Sequence, residues 1–275
     1  MKIKLVLCNL FLCFILFNCN NIDSDLITFE DDFEYSVDEF SDIKVLRYDI
    51  PGWENLTLKE QKLVYYLTQA GLSGRDIMWD QNYRHNLDIR NALENVYRNY
   101  VGDKSSSEWL SFEVYLKRLW FSNGIHHHYS NAKIKPEFNS DFLSNLLTDT
   151  NTILSDEAVE VIFNDSDSKK VNISKGVDNV LLSAVNFYGP DVTSNDVYDF
   201  YSQVKSPNPL KPLSHGLNSR LVKEDGVLVE KVYKSGGLYG DAIDEIIKWL
   251  ELAHGVSENK PQADALSLLS SYYKT

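Results

Sequence analysis

Between Ser107 and Ser122 the apolar residues Trp109, Phe112, Leu116, Leu119 and Trp120 recur at helical spacing, and Asn123-Gly124 follows at once. That spacing places them on one stripe of a helix, and a stripe with two indoles on it must be buried against other elements. Asn and Gly tolerate the left-handed conformation that ends a helix, so the stop falls at 123–124. The chain must therefore supply partners with equally wide apolar faces.

Such partners can be read on both sides. Thr57-Leu-Lys-Glu60 has the form of a capping box, and Leu63, Leu67, Ala70, Gly74 and Ile77 follow at helical spacing. The small residues Ala70, Gly71 and Gly74 predict close approach of another element. Ile89, Leu93, Val96 and Tyr100 predict a helix over His85 to Val101. Weaker patterns predict helices over Glu137 to Leu147 and Asp156 to Phe163, with a polar turn at Asn164 to Ser168. Two more follow at Asp241 to His254 and Pro261 to Tyr273. Strand signals are fewer. Ile43 to Ile50 alternates and is ended by Pro51-Gly52, while Gly216 to Lys223 and Val227 to Tyr233 flank Asp225-Gly226, a two-residue hairpin signal. The fold class is α+β: a mainly helical lobe with a small antiparallel β-barrel or hairpin component. No repeat, low-complexity segment or long linker divides it.

The first residues read differently. Lys2 and Lys4 precede a thirteen-residue, mostly apolar run, Leu5 to Phe17, shorter than the roughly 20 residues that span a bilayer. This is the pattern of a secretory signal peptide, residues 1–18, and Cys19 directly after it resembles the lipidated cysteine of bacterial lipoproteins. Asn18 stands where such proteins usually have a small residue, which leaves an ordinary secreted protein or an uncleaved anchor as alternatives. The expected location is the bacterial cell envelope, held by a lipid on Cys19. Cys8 and Cys13 lie in the leader, so the mature chain keeps one cysteine, too few for an internal disulfide, and relies on its core. Residues 19–41, rich in Asp and Glu, read as an acidic tether, and 42–275 as the body. The formal charge of −13 repels phosphate backbones, so no nucleic acid is expected as a partner.

Asn123-Gly-Ile-His-His-His-Tyr-Ser130 holds half of the chain's six histidines. An extended backbone would put His126 and His128 on one face and His127 on the other. Two imidazoles are fewer than the three or four protein ligands that zinc takes, and no His-Glu-x-x-His or Cys-x-x-Cys is present. Pocket lining is the reading preferred over metal binding. Gly236-Gly-Leu-Tyr-Gly240 lacks the partners of a phosphate loop and reads as a turn. No complete catalytic set emerges from these residue types.

Several segments together resemble the Bacteroides-type dipeptidyl peptidase III family of zinc metallopeptidases. They are Gly74-Arg-Asp-Ile77 with Asp80-Gln-Asn82, Glu113-Val-Tyr-Leu-Lys-Arg118, Trp120-Phe-Ser-Asn-Gly-Ile-His-His-His-Tyr129, Gly216-Leu-Asn-Ser-Arg-Leu-Val-Lys223 and Gly236-Gly-Leu-Tyr-Gly240. The resemblance implies the N-terminal portion of an enzyme whose two lobes face a cleft, one built around a small β-barrel with helices and the other helical and carrying zinc. The family's helical His-Glu-x-x-x-His, its downstream Glu ligand and its Glu-Ser-Tyr segment have no counterpart here. Zinc is thus implied for the full-length family, with no metal ligand and no catalytic residue assigned in this chain. What the resemblance implies is a substrate-binding lobe for short peptides, partnered by a missing catalytic lobe that releases N-terminal dipeptides. In the family, the polar residue and the aromatic that end the Gly-x-x-x-polar-aromatic segment line the pocket near the substrate's N-terminus. That role falls on His128 and Tyr129. Ser130 replaces the family's common Gly, and Ile134-Lys135 its usual Phe-Val. Two other readings are a self-sufficient, non-catalytic peptide-binding envelope lipoprotein and a structural envelope lipoprotein.

Overall fold

The structure is a computed structural model that describes residues 33–164, 170–204, 208, 210–211 and 215–275. The leader, Cys19 and the acidic residues up to Asp32 lie outside the described residues, as does most of the turn expected at Asn164 to Ser168. The chain divides after Ile50 into two compact units.

The first unit holds an antiparallel hairpin, β1 (Ser36–Phe40) and β2 (Ile43–Leu46), turned through Ser41 at φ 53°. β1 falls inside the segment 19–41 read as a tether, so that part of it is paired backbone. β2 starts where expected and stops at Leu46, short of Ile50. Beyond it, Arg47 donates from Nε to the Glu34 carbonyl at 2.7 Å and lays its guanidinium over Phe33.

In the second unit, α1 (Leu58–Ser73) opens on the expected capping box, with Glu60 Oε2 accepting the Thr57 N–H at 2.7 Å. The sequence predicts one helix through Ile77, but the chain breaks at Gly74 and resumes as α2 (Arg75–Asn82). A Cβ on Gly74 would stand 3.3 Å from Ile246 Cδ1, so the missing side chain admits the later helix α8 (Gly240–Gly255). Ala70 is buried at the same contact, whereas Gly71 faces open space.

Four helices follow: α3 (Asn86–Asn99), α4 (Ser107–Ser122), α5 (Ser140–Asp149) and α6 (Asp156–Phe163). α4 ends at Asn123 in the left-handed region, φ 53°. α5 begins three residues later than its spacing predicts because Asn139 Oδ1 caps the Phe142 N–H at 2.8 Å. α7 (Ser194–Ser202) has no counterpart in the apolar pattern, for it buries none of its residues. It forms on a capping box of Thr193 and Asp196, and Lys223 pairs with Asp196 at 2.8 Å. The unit closes with α8 and α9 (Lys260–Lys274).

The Asp225-Gly226 signal makes the expected hairpin, β3 (Ser219–Glu224) with β4 (Val227–Val232), through two residues at φ 51° and 80°. Positive φ at both positions gives the twist that two antiparallel strands need. The segment around Tyr188 lies parallel to β3, trading bonds with Leu221 at 2.8 and 3.0 Å. The barrel expected from the resemblance is not found: among the described residues the strands form two separate hairpins.

Two apolar cores fill this unit. The first lies among α2 to α6 and includes Trp79, Ile89, Leu93, Trp109, Phe112, Leu119 and Leu143. The second lies among α1, α8 and α9, around Leu63, Ile243, Ile246, Leu250 and Leu266. Among the described residues no helix is long and apolar enough to cross a membrane.

Candidate functional site

The segment 123–134 leaves the end of α4 and doubles back on itself. Ile134 N–H reaches the Ile125 carbonyl at 2.7 Å, and His127 N–H reaches that of Ala132 at 2.8 Å. Its shape is fixed from outside by two asparagines. Asn82 donates from Nδ2 to the Asn123 carbonyl at 3.1 Å. Asn86, 1% exposed, donates from Nδ2 to the Trp79 carbonyl at 3.0 Å and accepts the Ile125 N–H on Oδ1 at 3.1 Å. Its amide thus satisfies two buried backbone groups that would otherwise cost stability. Gly124 makes room for it: φ is +145°, and a Cβ there would fall 2.2 Å from Asn86 Nδ2.

On this frame the histidines take three different positions. His126 is buried with its ring edge-on to Tyr83, centroids 5.4 Å apart. His127 and His128 stack on one another at 4.4 Å, the pair that alternation would separate. The extended backbone lasts only to His127, whose carbonyl accepts the Ser130 N–H and closes a turn. His128 packs edge-on against Phe121 at 4.6 Å and leans on Tyr129 at 4.3 Å. Burial, with His127 and Lys170 nearby, holds the His128 imidazole below the usual histidine range, and its Nδ1 is buried without a hydrogen-bond partner. Tyr129 is 91% exposed. The two residues assigned by resemblance are adjacent, one ring half-buried and the other displayed to solvent.

The three imidazoles do not converge. His127 Nδ1 accepts the Tyr129 N–H at 3.2 Å, which occupies that lone pair, and His126 turns its ring onto Tyr83. Among the described residues no three His, Cys, Asp or Glu side chains converge on a point a metal could hold.

Four of the five segments quoted for the resemblance meet around α2. Besides the Asn82 and Gly74 contacts, Asp80 Oδ1 accepts from Asn186 Nδ2 at 3.0 Å, and Arg220 and Tyr239 act on the same carboxyl. Burial outweighs these partners and raises the Asp80 pKa. Burial and Asp80 together push the Tyr233 phenol up to about 12, and Tyr239 stacks on Tyr233 at 6.1 Å. The sequence gives Asn86 and Asn186 no site role, and Tyr233 only a place at the end of a strand. Only Gly124 hints at Asn86, through the close approach a glycine permits.

No family model matches the chain, and no curated protein matches it. Among solved structures, DPP III from Caldithrix abyssi matches with a TM-score of 0.48 and 18% identity over 82% of this chain. The match covers 32% of that protein, so the chain spans about a third of its length.

Proposed function

We propose that this chain is the substrate-binding lobe of a dipeptidyl peptidase III-like zinc metallopeptidase, receiving the N-terminus of short peptides at His128 and Tyr129. The observation that carries the reading is the built support under the resembling segment. Asn82 and Asn86 hold residues 123–125, the start of the segment that carries His128 and Tyr129. An exposed tyrosine face attracts an ammonium group, by about 0.5–1 kcal/mol at a solvated site. The chain's charge of −13 adds long-range attraction for cationic peptide ends.

In this reading the lobe binds the peptide and orients it. The metal that polarises a scissile carbonyl and lowers the pKa of water would be held by a catalytic lobe acting as partner, and the lipid on Cys19 would tether the protein to the envelope.

Titration of the full chain with tetraalanine and with N-acetyl-tetraalanine tests the reading. Tighter binding of the free amine is expected, with no release of dipeptide from a chromogenic reporter in added zinc. Equal binding of both peptides removes the N-terminal pocket. Turnover by this chain alone overturns the division of labour, and binding without any catalytic partner in its native cells favours a self-sufficient binding protein.

A further inference from the structure

His127 closes the turn that carries Tyr129 in two ways. Its carbonyl accepts the Ser130 N–H at 3.4 Å, and its Nδ1 accepts the Tyr129 N–H at 3.2 Å. A ring nitrogen can accept a hydrogen bond only while it carries no proton, so this contact selects the neutral imidazole with its hydrogen on Nε2. A second proton would go to Nδ1, the atom that faces the Tyr129 N–H. The acceptor would be lost, two N–H groups would oppose each other, and a positive charge would stand beside the Tyr129 backbone.

Histidine is the side chain whose charge ordinarily changes between pH 5 and 8. The groups around His127 are of other kinds or are held neutral. His128, stacked on it at 4.4 Å, is kept below the usual histidine range by burial, by His127 and by Lys170. Arg118 on α4, with Lys133, Lys135 and Glu137, lines a cavity together with His127. Lysine and arginine keep their charge throughout this window, and glutamate titrates below it, at about 4.3. His126 lies buried against Tyr83.

We infer that His127 is a proton-operated latch on the peptide site: its neutral ring holds the turn that displays Tyr129, and protonation releases that turn and sets a like charge against the peptide ammonium. His127 is thus a positioning residue, and acid weakens the hold on the peptide. The effect on the peptide rests on the proposed function, while the latch itself rests on the Nδ1 contact. Two measurements keep them apart. The first is calorimetric titration of the full chain with tetraalanine at pH 7 and pH 5. The peptide's amine, titrating at about 7.7–8.0, and its carboxyl, at about 3.3–3.7, are mostly charged at both. The affinity of the intact chain is expected to fall about fivefold at pH 5, through one lost hydrogen bond and one added like charge. In His127→Gln the amide oxygen can accept the same N–H at either pH and gains no charge, so the ratio of its two affinities should stay near one. His127→Ala, with no acceptor, should bind weakly at both. The second measurement needs no peptide. In the chain labelled with 15N-tyrosine, the Tyr129 amide resonance, identified by its loss in Tyr129→Phe, should shift between pH 7 and pH 5, and in His127→Gln it should stay in place. Tetraalanine that binds at neither pH removes the peptide site, and the amide titration then decides the latch by itself. An amide that does not move, an amide that moves equally in His127→Gln, an affinity of the intact chain that is the same at both pH values, or a loss that survives His127→Gln each overturns the inference.

Discussion

The two cores of the second unit are built from different material. The first buries Trp79, Tyr83, Trp109, Phe112 and Tyr115 almost completely, with Trp109 stacked on Tyr97 and Tyr100. The second contains mainly Ile, Leu and Ala, and its one buried ring is Tyr233. On its helix α1, Leu58, Tyr65 and Leu72, seven residues apart, are all more than half exposed. Interlocked rings fill space with few rotatable bonds. The segment carrying His128 and Tyr129 leaves that stiff core, through Trp79, Asn86 and Ile125, while the aliphatic core holds α1, α8 and α9 together.

If this contrast is right, truncations in the two cores should differ most. Trp109→Ala is expected to cost about 3–5 kcal/mol in a denaturant titration, because a stack of three rings collapses around a large void. Leu250→Ala should cost nearer 2–3 kcal/mol, since a smaller side chain is removed from among aliphatic neighbours. Equal costs would erase the distinction.

Gly124→Ala should follow, at about 2 kcal/mol, because both its positive φ and the Asn86 amide oppose a side chain. The same substitution at Gly71, where a Cβ meets open space on α1, should instead stabilise, by about 0.5–1 kcal/mol. Chemical unfolding of the two variants compares a glycine needed for shape with one that is not.

Farther from either core, α7 relies on electrostatics. Lys223 and the Thr193 cap lower the Asp196 pKa from 3.8 to about 2. A folded pKa below the unfolded value means that the carboxylate adds stability above pH 4 and loses it as pH falls towards 2. Wild type should therefore exceed Asp196→Asn in stability at pH 6, and the gap should narrow below pH 4. A constant gap would contradict the assignment.

These differences also explain what the sequence made legible. Repeating apolar residues announced α3, α4, α6 and the C-terminal helices, and Asp225-Gly226 announced its hairpin, because each signal is local. α7 buries no residue and left no periodic trace, and the helix break at Gly74 depends on Ile246, 172 residues away in sequence. The barrel rested on resemblance and did not follow from strand signals. The site was legible in part. A histidine run after a helix stop marked the segment, but the stacking of His127 on His128 follows from a turn that alternation does not foresee. Asn86 belongs to another helix, 39 positions before its partner Ile125, and no spacing rule connects them.

The smallest stability effect should carry the largest functional one. Tyr129→Ala removes a side chain that is 91% exposed, so its stability should change by less than about 0.5 kcal/mol. Its affinity for tetraalanine, measured by calorimetry beside the intact chain, should fall by roughly 1–3 kcal/mol if the ring anchors the peptide. A folded Tyr129→Ala chain that binds tetraalanine as tightly as the original would contradict the account.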